Sequence, residues 1–316
     1  MVHGRRSKGR WIAHGTFAEV IRAFMMSPKW DALSRSTRVN YGYLLRGAEL
    51  PESLGAIPVE EMRPALIQAF LDGLADRPGA QRVAKTALKS LEKWALVRDL
   101  LPRPICLGTE TIGSDGGHIP WTDEQVAYGE QHARPHLSKI ITLAANTGQR
   151  GSDLIHMRWS DIEVVDGRPG INVKQQKTGL ELWVPFTTAL QDAIAGWERR
   201  PGFILLKADG NPFATRQHLS DLWSREMRRR EAMKPLAEAG LVMHGLRGTA
   251  VVRLRRAGAT VSQISDMVGM SALMVTRYSR HSIQKENALA AVHMLDRTAR
   301  ETRRERSKNE PSKNGS

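Results

Sequence analysis

Residues 147–185 read TGQRGSDLIHMRWSDIEVVDGRPGINVKQQKTGLELWVP, and the hydrophobic period changes within them. Just upstream, Ile140, Ile141, Leu143 and Ala144 recur at helical spacing, so a helix is predicted to end near Gly148. Leu154, Ile155 and Met157 predict a second helical segment. Ile162–Val165, Ile171–Val173 and Leu182–Pro185 are then short β-type runs, separated by Asp166-Gly167 and by Lys177-Thr178-Gly179. Together they predict a three-stranded antiparallel sheet. From Thr187 onward the pattern is mostly helical again. The expected fold class is therefore mainly α with a small antiparallel β-sheet.

Working outward, the chain divides. Residues 1–14 form a basic N-terminal arm. Residues 15–101 read as a helical domain. Thr16 and Glu19 have capping-box spacing, and Phe17, Val20, Ile21 and Phe24 give one apolar face. A second helix is expected from Thr37 through Leu45. A third is expected to start near Pro58 and to carry Met62, Leu66, Phe70 and Leu71. A fourth covers about residues 80–98, with Ala84, Leu88, Leu91 and Ala95 on one side and Arg82, Lys85, Lys89 and Lys93 opposite. Residues 102–120 begin with two prolines, are rich in Gly and Ser in the middle and show no apolar period, so they read as a flexible linker. The second domain, 121–296, opens with another capping-box pattern at Thr122 and Gln125. Residues 297–316 are polar and charged and read as a disordered basic tail.

Composition narrows the class of partner. The chain has 316 residues, long enough for two cores, and a net charge of +14 from 47 Lys and Arg against 33 Asp and Glu. Such an excess favours a polyanion, because each phosphate neutralised by a cationic side chain releases condensed counterions. The basic stripe Arg82, Lys85, Lys89 and Lys93, with Arg38 on the second predicted helix, is the candidate nucleic-acid face; a solvated surface is the plainer alternative. No apolar stretch approaches the ~20 residues of a membrane span, so no membrane partner is expected. One cysteine, Cys106, excludes an intramolecular disulfide and suits a reducing cytoplasm. His132 and His136 have helical metal spacing, but Pro135 intervenes and no further ligands cluster with them, so no metal is expected.

The chemistry lies in five scattered side chains: Arg150 in TGQRGSDL, Lys177 in KTG, His244 and Arg247 in HGLR, and Tyr278 in VTRYSRH. Each taken alone is a common surface or half-buried residue. As a set they suit a phosphodiester. Two guanidinium groups and an imidazole can hold the equatorial oxygens, a tyrosine can attack phosphorus, and a lysine on a hairpin tip can protonate the leaving oxygen. No metal or other cofactor is needed for that charge work.

In order, spacing and local context this set resembles the active site of the tyrosine recombinases, also called the phage integrase family. Thr147, Gly148, Arg150, Asp153 and Leu154 match the first arginine segment, with Asp where Glu is usual. Lys177 before Trp183-Val184-Pro185 matches the hairpin lysine, and His244-Gly245-Leu246-Arg247-Gly248-Thr249 the His-x-x-Arg box. Ala257-Gly258, Ile264, Met267, Val268 and Gly269 continue the pattern, and Tyr278 with His281 matches the nucleophile segment. One departure stands at Met270, where the family carries His or Trp. The stretch from Met270 to Tyr278 is also one residue shorter than usual, a change expected to be absorbed in a loop. The resemblance is strong over residues 121–285 and weaker over 14–101, the expected core DNA-binding domain.

The resemblance implies a site-specific recombinase that cuts and rejoins double-stranded DNA through a 3′-phosphotyrosine, without metal or ATP. It also implies a homotetramer on paired sites, an accessory DNA-bending protein in some cases and a cytoplasmic, nucleoid-associated location. A type IB topoisomerase-like enzyme and a non-enzymatic DNA-binding protein of the same fold are the alternatives. A C-terminal helix carrying Leu289, Ala291, Val292 and Leu295 is a candidate for docking on a neighbouring copy.

Overall fold

The computed structural model describes residues 6–7, 10–11, 15–113, 117–282, 288–289 and 291–300. Most of the expected basic arm, and residues 301–316 of the expected tail, lie outside the described residues. Within the arm, β1 (Arg6–Ser7) pairs antiparallel with β2 (Arg10–Trp11). The chain forms two compact units, residues 1–116 and 117–316.

The first unit is built from α1 (Phe17–Met25), α2 (Pro28–Asp31), α3 (Arg35–Glu49), α4 (Pro64–Asp72) and α5 (Pro78–Leu96). Phe17, Ile21 and Phe24 of α1 meet Leu45 and Ala48 of α3, Ile67 and Leu71 of α4, and Leu88 and Leu91 of α5 in one buried core. The one-turn α2 starts at Pro28, behind Ser27, whose hydroxyl accepts from Trp30 N–H.

Two expectations need correction here. The third helix starts at Pro64 rather than near Pro58, where only a 3₁₀ turn, Val59–Glu61, follows. The ring of Pro64 disfavours helical geometry at the residue before it, and Arg63 is extended at φ −145° and ψ 158°. The expected flexible linker is also not one connection. Leu101, Ile105 and Cys106 are buried in the first unit's core, and the Glu92 carboxylate accepts the backbone N–H groups of both Ile105 and Cys106. Residues 102–113 thus belong to the first unit and 117–120 to the second.

The second unit contains α6 (Asp123–His132), α7 (Pro135–Thr147), α8 (Gly151–Leu154), β3 (Ile162–Val165), β4 (Arg168–Lys174), β5 (Glu181–Pro185), α9 (Thr188–Ala195), α10 (Arg216–Arg229), α11 (Lys234–Glu238), α12 (Gly245–Arg256), α13 (Val261–Val268) and α14 (Ala272–Ser282). Thr122 and Gln125 form the anticipated reciprocal capping box on α6. The sheet is antiparallel in the order β3-β4-β5, with Ile162 opposite Ile171 and Ile171 opposite Val184. Its inward residues Ile171, Val173 and Val184 pack with Leu137, Ile140, Ile141 and Ala144 of α7, which forms the middle of the core. A smaller cluster joins Val251, Ile264, Val268, Met270, Val275 and Tyr278.

The helix expected through Met157 stops at Leu154. Met157 instead gives its carbonyl to Ile204 N–H (2.9 Å), beside an isolated bridge between Arg158 and Phe203. Residues 297–300, read as the start of a disordered tail, are helical and exposed. On the same stretch Leu289, Val292 and Leu295 are exposed. Among the described residues no helix is long and apolar enough to cross a membrane.

Candidate active site

Two helix ends prepare the site. α7 stops at Gly148 and α13 at Gly269, both left-handed at φ 65° and φ 64°. Close packing reinforces the choice of glycine. A Cβ on Gly148 would come within 2.9 Å of Val268 Cγ1, and one on Gly269 within 2.4 Å of Gln175 Nε2. The two C-termini therefore lie side by side, and each presents a carbonyl to the same arginine. Arg247 Nη1 donates to Gly148 O, and Nη2 donates to Gly269 O at 3.1 Å. The partial negative charge at both helix ends favours a buried guanidinium there. Arg247 is 2% exposed, and desolvation, with the nearby charge of Arg150, lowers its pKa to about 10. It stays cationic at neutral pH.

Arg150 follows Gly148 across Gln149 and precedes α8. Its Nη1 donates to Gln175 Oε1 at 2.7 Å and lies 3.8 Å from Asp153 Oδ2. Asp153 is buried, and its other oxygen accepts the backbone N–H of Gln176 at 2.9 Å. An acidic residue and an amide from the hairpin root thus fix the arginine's direction.

His244 directly precedes α12, one residue before Gly245. Burial lowers its pKa to about 4, helped by the charges of His118, Arg247, Arg216 and Arg150, so the ring is neutral at pH 7. The His118 ring meets it edge-on, with centroids 4.9 Å apart. The segment bearing His118 is laid along α12. Trp121 N–H donates to Thr249 Oγ1 (2.7 Å), whose hydroxyl donates back to Trp121 O (3.0 Å).

Tyr278 lies on α14 with its ring over Gly248, where an added Cβ would approach Cδ1 to 2.7 Å. Burial raises the phenol's pKa, opposed by the charges of Arg247, Arg277 and Arg150. Arg150, Arg247, His244 and Tyr278 thus share one electrostatic neighbourhood. Lys177 is exposed on the hairpin between β4 and β5. Met270 is buried beside Tyr278 in the small apolar cluster and offers no hydrogen-bond donor.

Sequence reasoning missed His118, Arg216, Gln149 and Gln175. His118 sat in a segment read as linker, and Arg216 is one basic residue among many. The two glutamines carry no sequence signal beyond their closeness to Arg150 and Lys177.

The stripe expected on α5 is divided. Lys89 and Lys93 are exposed, whereas Lys85 Nζ donates to Thr109 O and Arg82 Nη1 to Ile112 O (3.4 Å), so these two hold the 102–113 segment down. Arg38 is 3.6 Å from Asp31 at the surface. The His132 ring stacks on Tyr128 with centroids 4.0 Å apart, and among the described residues no cluster of three or more metal-ligating side chains occurs.

Comparison with known proteins places residues 126–286 in a match to the phage integrase family model. The integrase of Enterobacteria phage 434 is 27% identical over 167 residues, which are 51% of this chain and 45% of that protein. The chain thus spans less than half the length of this curated relative. Among solved structures, a lambda integrase dimer bound to a COC′ core site superposes with TM-score 0.64 at 21% identity, covering 84% of this chain and 77% of that one. A lambda integrase tetramer bound to a Holliday junction gives 0.65 at 20% identity, covering 81% and 77%. At that identity the likeness establishes the fold.

Proposed function

The chain belongs to the phage integrase family, and from that premise we propose that it is a site-specific DNA recombinase acting through a 3′-phosphotyrosine. The observation that carries this reading is that Arg150 and Arg247 bear on both His244 and Tyr278, whose ring lies over Gly248, one turn of α12 beyond His244. The scissile phosphate of double-stranded DNA is held by the two guanidinium groups and by a ring N–H of neutral His244. Removing one such positioned donor costs ~3–4 kcal/mol in comparable sites. Tyr278 Oη attacks phosphorus, and the arginine field favours loss of its proton. Neutral His244 is in the protonation state to receive that proton. The 5′-oxygen leaves with a proton from Lys177, brought in by movement of the hairpin. Attack by a second 5′-hydroxyl reverses these steps and rejoins the strand, so the energy of the broken bond is conserved in the phosphotyrosine.

Lys89 and Lys93, with Arg38, Arg82 and Lys85 on the same unit, contribute charge toward the DNA backbone. The solved tetramer of the lambda integrase on a Holliday junction supports the same assembly for this chain on paired sites. An accessory DNA-bending protein and a location at the nucleoid belong to the proposal.

A nicked DNA substrate, from which the released 5′ fragment diffuses away, tests the reading. The wild-type chain traps a covalent protein–DNA adduct, and Tyr278→Phe does not. Tight binding with no adduct would instead identify a DNA-binding protein of this fold.

A further inference from the structure

Gln175 is fully buried although it directly precedes an exposed hairpin tip. A primary amide has two acceptor positions and two N–H donors, and here each is engaged. Oε1 accepts from Arg150 Nη1 (2.7 Å) and from Thr178 Oγ1 (3.0 Å). Nε2 donates to Gln149 Oε1 (2.9 Å) and to Val268 O (3.0 Å). One side chain therefore ties Arg150 to the hairpin and to the end of α13, whose next carbonyl, Gly269 O, holds Arg247. The close approach that this needs is the one a Cβ on Gly269 would block.

We infer that Gln175 is a positioning residue that sets the direction of Arg150 toward the scissile phosphate, an inference that rests on the recombinase reading above. A neutral amide suits the task. It fixes the guanidinium through one oxygen and leaves the remaining N–H donors of Arg150 for an anionic ligand. A carboxylate in its place would form a full ion pair with Arg150, and would turn lone pairs toward Gln149 Oε1 and Val268 O.

Two variants and two substrates test this. Gln175→Met keeps the length and removes all four hydrogen bonds, and Gln175→Glu keeps the shape and an acceptor for Arg150 but loses both donors, to Gln149 Oε1 and Val268 O, that hold the group in place. Each is assayed for DNA affinity by gel shift and for single-turnover adduct formation on nicked DNA. One substrate carries the ordinary 5′-oxygen. The other carries a bridging 5′-sulfur, a leaving group that needs no proton. Both variants are expected to bind DNA within a few-fold of wild type and to cleave about 10²-fold slower on both substrates, as for a misplaced catalytic group.

A general loosening of the fold would weaken binding along with cleavage, and that result would overturn the inference. Recovery of the rate on the sulfur substrate would overturn it too, because Gln175 would then act through Lys177. An unchanged rate in whichever variant folds would do the same. A Tyr278→Phe protein that still forms the adduct would reject the recombinase reading itself, whatever Gln175 does.

Discussion

Charge at the site is set residue by residue. His244 has a pKa near 4 against an ordinary 6.5, chiefly because it is desolvated. Above pH 6.5 the ring is neutral in folded and unfolded chains alike, and its contribution to stability is complete. Between 6.5 and 4 the unfolded chain takes up a proton that the folded site refuses, so stability is lost as pH falls. Urea midpoints between pH 4.5 and 7 should therefore fall more steeply for wild type than for His244→Gln; parallel profiles would contradict the assignment. Gly248 is the second sensitive point. In Gly248→Ala the new methyl meets the Tyr278 ring at 2.7 Å and Pro120 Cγ at 3.0 Å, so the phenol must shift. Single-turnover cleavage should drop about 10²-fold with DNA affinity kept, as expected for a displacement near 1 Å; an undiminished rate would show that the ring has another productive position. The sequence carried the types of these residues, because Arg, His and Tyr in ordered motifs have few chemical uses. It did not carry Gln175, whose importance comes from four contacts, two of them more than 25 residues away in the chain.

At the scale of elements, periodicity and punctuation made much of the second unit legible. Gly148 ended α7, Thr122 and Gln125 capped α6, and the Asp166-Gly167 turn separated β3 from β4. What stayed hidden was decided by tertiary packing. Residues 102–113 have no period of their own, yet Ile105 and Cys106 fill the first unit's core, and Glu92 satisfies their backbone N–H groups. Local pattern cannot report a segment held by a carboxylate on a neighbouring helix. This docking has a chemical reporter. Burial, with Glu92 beside it, pushes the Cys106 thiol to about 12, so the reactive thiolate is scarce at neutral pH. Native protein should react slowly with a thiol reagent at pH 7.5. Glu92→Ala, which leaves two N–H groups without their acceptor, should react at least tenfold faster. Equal rates would mean that the segment is held by its apolar residues alone.

For the whole molecule, the +14 charge supplies attraction to a polyanion but no chemistry. Under the proposed function the chemistry depends on two helix C-termini meeting so that Arg247 spans Gly148 and Gly269, while Arg150 and Arg247 together bear on His244 and on the Tyr278 phenol. Met270 fits that arrangement as packing against Tyr278, so in the proposed mechanism the charge stabilisation is assigned to the arginines and His244. Mapping the covalent bond tests this most directly. The adduct trapped on nicked DNA is digested with protease and nuclease, and the nucleotide-bearing peptide is sequenced by mass spectrometry. The 3′-phosphate should be esterified to the Tyr278 oxygen, with yield falling at least 10²-fold in Arg150→Ala and in Arg247→Ala. An ester on any other side chain, or full yield without either arginine, would contradict the account.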